Sequence, residues 1–121
     1  MNAAEELLSI HLTELGVYFQ QEWQYAAGRR LRADFAVWDR HAKNWRTHGI
    51  HETTRLFLIE VQGGVYGKGG KAHGSITGIL ADIERLNQAT LNGWKMLRFT
   101  PQQVENGEAK AMIQQAIGGK G

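Results

Sequence analysis

Cysteine is absent from this chain of 121 residues, which removes disulfides, thiolate metal sites and cysteine nucleophiles from consideration. No apolar run reaches the length of a signal segment or a membrane span, and the first helical stretch is acidic rather than basic at its start. Both observations point to a soluble protein of the cytoplasm. Charge of one sign is scarce as well. Fourteen Lys and Arg against 12 Asp and Glu leave a net +2, which permits a nucleic-acid partner but is too small to argue for one. No internal repeat and no low-complexity linker divides the chain. The expectation is a single domain over residues 1–117 with a flexible tail at 118–121, long enough to fold without staples.

Against this background one strand stands out. Arg55 to Gly64 reads Arg-Leu-Phe-Leu-Ile-Glu-Val-Gln-Gly-Gly, with Glu60 inside an apolar run and Gln62 two positions on. An ionised carboxylate in such a strand is costly unless it is paired or holds a metal. A second carboxylate, Asp34, is embedded upstream in Arg30 to Trp38. There Leu31, Ala33, Phe35 and Val37 share one face, and Arg32, Asp34 and Ala36 the other. A hairpin of these two strands around the polar segment 39–54 sets Asp34 close to opposite Glu60, with Gln62 on the same face as Glu60. Two carboxylates and an amide oxygen at a strand end make a hard-oxygen site suited to Mg²⁺.

The remaining elements follow from periodicity and caps. Ala3 to Leu15 is expected as a helix with Leu8, Leu12 and Leu15 on one stripe and Gly16 as its left-handed stop. Glu5 and Glu6 fall in its first turn, where a carboxylate complements the helix N-terminus. Val17 to Tyr25 reads as a strand of mixed polarity at or near a sheet edge. Ile76 to Asn92 is the best helix, with Ile76, Ile79, Leu80, Ile83, Leu86 and Leu91 at helical spacing, Ser75 as N-cap and Gly93 as stop. Asp82, Glu84, Arg85 and Gln88 form its solvated face. Trp94 to Phe99 is a further strand. Thr100-Pro101 then starts a helix that Gly107 interrupts, and Glu108 to Ile117 closes the chain. The order α-β-β-β-α-β-α lets the Glu60 and Trp94 strands lie parallel, so the fold class is α/β, a mixed β-sheet with flanking helices.

An Asp, a long gap, then Glu-x-(Lys/Gln/Glu) on the next strand resembles the PD-(D/E)XK nuclease superfamily. The closer resemblance is to small phage and prophage endonuclease-like proteins. These read Arg-x-Asp-Phe, then Glu-Val-x-Gly-Gly, then a Gly-rich stretch with a His, then Gly-Trp-x-x-Leu-Arg-Phe-Thr. Here the stretches are Arg32 to Phe35, Glu60 to Gly64, Gly67 to Gly74 and Gly93 to Thr100. Ala33 stands where the superfamily motif has Pro, and Gln62 where it has Lys. The resemblance implies a restriction-endonuclease-like core of order αβββαβα and a Mg²⁺-dependent DNA endonuclease, with Mn²⁺ as a substitute, in a bacterial or phage-infected cell. It implies Asp34, Glu60 and the Val61 carbonyl as metal ligands, Glu6 as an added helix glutamate and Gln62 as a member of the catalytic set. Arg85 becomes a helix-borne cation in place of the lysine missing at position 62. The alternative is a nuclease-fold protein with little or no catalysis that binds DNA or serves in assembly, because Gln62 cannot ionise. A homodimer is compatible with either.

The other candidate DNA contacts fall in loops. Six glycines occur among the twelve residues Gly63 to Gly74, together with Lys68, Lys71 and His73. The spacing fits neither a P-loop nor a dinucleotide fingerprint. It does offer close backbone approach and phosphate neutralisation, a merely flexible loop being the other reading. His73 recurs in the resemblance, as a contact to a phosphate or water or in a structural role. Arg32, with Arg29 and Arg30, either pairs with Glu22 or touches phosphate. The segment 39–54 is a basic loop against a duplex or a solvated one, and its three histidines give little support to zinc.

Overall fold

Helix α1 (Ala3–Leu15) starts where Asn2, in extended conformation, accepts the Glu5 N–H on its side chain at 2.9 Å, and it stops where Gly16 takes φ 74. The structure, a computed structural model, describes residues 2–26, 31–38, 56–62 and 76–118. After α1 come β1 (Tyr18–Gln24), β2 (Arg32–Trp38), β3 (Leu56–Val61), α2 (Ile76–Leu91), β4 (Lys95–Phe99), α3 (Pro101–Glu105) and α4 (Glu108–Gly118). The strands lie side by side in chain order. β1, β2 and β3 are antiparallel neighbours, and β4 runs parallel to β3. This is an α/β fold with a four-stranded mixed open sheet and flanking helices. The closing helix is split in two. Thr100 and Gln103 satisfy each other's backbone N–H groups in a capping box at the start of α3, and Gly107, at φ 88, separates α3 from α4. No described helix is long and apolar enough to cross a membrane.

Two cores sandwich the sheet. On one face α1, α3 and α4 bring Leu8, Leu12, Val104, Ile113 and Ile117 against Phe35, Val37, Phe57, Ile59, Val61 and Phe99. On the other, Tyr25, Ala33, Ala36, Trp38, Leu56 and Leu58 meet Ala89 of α2 and Trp94, with Trp23 and Met96 at the margin. Trp23 packs its ring against both Trp38 and Trp94, at centroid distances of 6.2 and 5.9 Å.

Two expectations from periodicity are corrected here. Leu31 and Ala33 do not share a face with Phe35 and Val37. They lie with the second core while Phe35 and Val37 lie in the first, so the alternation of β2 reverses at Asp34. The cause is on the neighbouring strand. Gln21 pairs with Phe35 and Trp23 with Ala33, but the position between them is interrupted, and Glu22 stands there with φ 52. The second correction concerns α2. Its long aliphatic side chains are exposed, and of its residues only Ala89 is fully buried. Arg85, expected on the solvated face, is turned towards the sheet instead.

Candidate metal centre

Asp34 stands where the β2–β3 ladder ends at Phe35 and Ile59. Beyond that pair the backbone N–H of Val61 has no strand carbonyl opposite, and it donates to Asp34 Oδ2 at 2.8 Å. The side chain thereby completes a backbone requirement, which fixes its carboxylate and leaves the second oxygen for other partners. On the neighbouring strand, the left-handed conformation at Glu22 costs about 1 kcal/mol for a residue with a Cβ. It turns the Glu22 carboxylate to the same point.

Glu5 comes to this point from α1. The helix buries Ala4, Leu8 and Leu12 against the sheet, so a residue next to that stripe leans over the strand ends while one half a turn away meets water. Glu5 is in the first position and half-buried; Glu6 is in the second and exposed. Carboxylate oxygens of Glu5, Glu22 and Asp34 lie within 4.8 Å of one another. Burial pushes the Asp34 carboxyl above the ordinary range and the Glu22 charge adds to this, while the Val61 N–H and Arg85 hold it down. Glu5 is raised too, by burial first and then by Asp34 and Glu22, with the Asn2 side chain opposing. Three hard oxygen donors from three elements form a donor set that fits a small divalent cation such as Mg²⁺.

Glu60 has a different explanation for its burial. Only 5% of it is exposed, and its carboxylate is ion-paired with Arg85 of α2 and, at 3.3 Å, with Nε of Arg98, its register partner on β4. Gln62 Nε2 also donates to Glu60 at 3.5 Å, and the Gln62 N–H donates to the Phe99 carbonyl at 2.7 Å. Arg85 goes further and donates to the Arg32 carbonyl at 2.9 Å, while the Tyr25 hydroxyl donates to the carbonyl of Arg85 at 3.5 Å. The charged site around Glu60 is thus a tie between α2 and three strands.

No family model matches this chain, no curated protein matches it, and no solved structure matches it. The site is therefore read from geometry alone. Of the expected residues, Asp34 is in the acidic cluster. Glu60 and Gln62 sit behind it in the arginine pair, Val61 contributes through its N–H, and Glu6 points to water. Arg32 is exposed at the start of β2. Lys68, Lys71 and His73, like the segment 39–54, lie outside the described residues. Glu5 and Glu22 are the members that sequence reasoning missed. One signal for Glu22 is the β1–β2 register, which sets it across from Asp34, because two like charges on adjacent strands are destabilising unless something lies between them.

Proposed function

We propose that this protein is a divalent-metal-dependent DNA phosphodiesterase of the PD-(D/E)XK type on a restriction-endonuclease-like core, with Glu5, Glu22 and Asp34 as the residues that hold the metal. The observation that carries this reading is the convergence of those three carboxylates, from α1, β1 and β2, at one strand end. A cation held there would acidify a water and offset charge on the reacting phosphate. The chain's own residues do the rest. The Val61 N–H keeps Asp34 aimed at the cluster, Glu60 holds Arg85 and Arg98 at the sheet end, and the exposed Arg32 is available to a phosphate. Gln62 can orient a water or donate to a phosphate oxygen without ionising. Lys68, Lys71 and His73 keep their expected part as contacts to the DNA backbone.

A second reading is supported by the fate of Glu60. A carboxylate neutralised by two arginines, next to a glutamine in place of lysine, suits a DNA-binding or assembly module that does not hydrolyse its partner. The two readings separate in one experiment. Supercoiled plasmid is incubated with the protein and Mg²⁺ or Mn²⁺, and DNA binding is measured in parallel. Under the first reading Asp34→Asn and Glu22→Gln slow cleavage at least ~100-fold and preserve binding, whereas Glu6→Gln cuts like wild type. A wild type that binds DNA and cuts nothing with any divalent metal leaves the binding module as the function.

A further inference from the structure

Helix α2 has two unlike sides. Gly78, Asp82, Arg85 and Ala89 recur at the spacing of one helix face, and with Gln88 they are the covered residues of α2. From this side Arg85 reaches Glu60 and the Arg32 carbonyl. The opposite side carries Ile76, Ile79, Leu80, Ile83, Leu86 and Leu91, between 48% and 77% exposed. An amphipathic helix in a soluble domain ordinarily turns such a stripe to its own core. Here the sheet side is the polar and small one, with Arg85 paired to the buried Glu60 and Ala89 packed in the core that holds Trp38 and Trp94.

The exposed stripe is large. Its six side chains leave on the order of 600 Å² of apolar surface in water, at the top of what single chains usually expose and near the ~800 Å² that each partner contributes to a standard interface. Ile76 and Ile83 fall at a-type positions of a heptad, Ile79 and Leu86 at d-type positions, and Leu80 widens the seam, the pattern of a helix that packs along another helix. Of the charged residues of α2, Asp82 and Arg85 lie on the covered side, and Glu84 flanks the stripe one heptad before Leu91. A two-fold axis through its middle would bring Ile83 against its own copy and Ile76 towards Leu91. We infer that α2 is the homodimer interface of this protein, paired antiparallel with α2 of a second copy. The inference stands on this stripe and is independent of the proposed nuclease activity.

Sedimentation equilibrium across micromolar concentrations tests it. Wild type should approach twice the chain mass of 13.6 kDa, and Ile83→Glu, which sets two carboxylates together on the axis, should remain at the chain mass with an unchanged circular dichroism spectrum. Because the chain contains no cysteine, Ile83→Cys supplies a single thiol. Mild oxidation should convert this variant to a disulfide-linked dimer, while Glu105→Cys on α3 should stay monomeric. A wild type that is monomeric throughout, or an Ile83→Glu protein that still dimerises, overturns the inference. Where Ile83→Glu fails to fold, the thiol decides. Cross-linking of Ile83→Cys upholds the pairing, and its failure assigns the stripe to a segment of the same chain or to a different protein.

Discussion

Asp34 and Glu5 hold their protons above the ordinary carboxylate range, burial being the first cause for both. A group whose folded pKa is raised contributes stability at low pH and loses it as pH rises through the folded value. Metal-free wild type should therefore match Asp34→Asn in urea midpoint only below the ordinary Asp value of 3.8 and fall behind it as pH rises, with the gap narrowed by Mg²⁺. Asparagine keeps an oxygen for the Val61 N–H, so the comparison isolates the charge. The arginines around Glu60 differ in the same concrete way. Arg85→Met leaves a buried carboxylate short of its closer partner and should cost about 3 kcal/mol. Arg98→Met, at a side chain about a third exposed, should cost about 1 kcal/mol or less. The need of Glu60 for a partner is legible from its place in an apolar strand. That the partner is a pair of arginines is not, because it depends on how α2 crosses the sheet and on the parallel register of β4. The place of Asp34 at a strand end is likewise legible in the sequence, and its carboxylate there accepts the Val61 N–H.

Among the elements, those with chemical start and stop signals are the ones the sequence predicts well. Gly16, Thr100 and Gly107 mark boundaries by hydrogen bonds or backbone conformations local to each site, so no distant contact is needed to place them. Thr100→Ala removes one half of the capping box and should cost about 1 kcal/mol, measured by urea unfolding. The kink in β1 has no such signal. Glutamate is an uncommon choice for a left-handed residue, and period-2 reading carries the alternation of β2 straight through Asp34. A pair of variants separates backbone from charge at this position. Glu22→Gln and Glu22→Gly both remove the carboxylate, but only glycine accepts φ 52 without strain, so the glycine variant should be the more stable by about 1 kcal/mol in the absence of metal. The apolar stripe of α2 was likewise visible in the sequence. Spacing gives the stripe but not the side of the helix that meets the sheet, which here is the side of Arg85 and Ala89.

For the molecule as a whole, fold class follows from the succession of elements, and the mixed sheet follows from one crossover helix between two otherwise adjacent strands. How the sheet face under α2 is held has a dynamic consequence. Amides of β2 and β3 lie between two cores, with Phe35, Ala36, Leu58 and Ile59 all without exposure. Helix α2 commits to the sheet one fully buried alanine and a charged guanidinium, so little apolar surface opposes its detachment. In native-state hydrogen exchange α2 should therefore open at a lower free energy than the central strands, as a separate cooperative unit, and Arg85→Met should lower its protection factors while those of β2 and β3 fall less. Each such opening would leave Glu60 with Arg98 alone, so the rate at which α2 lifts away sets how often this carboxylate meets water.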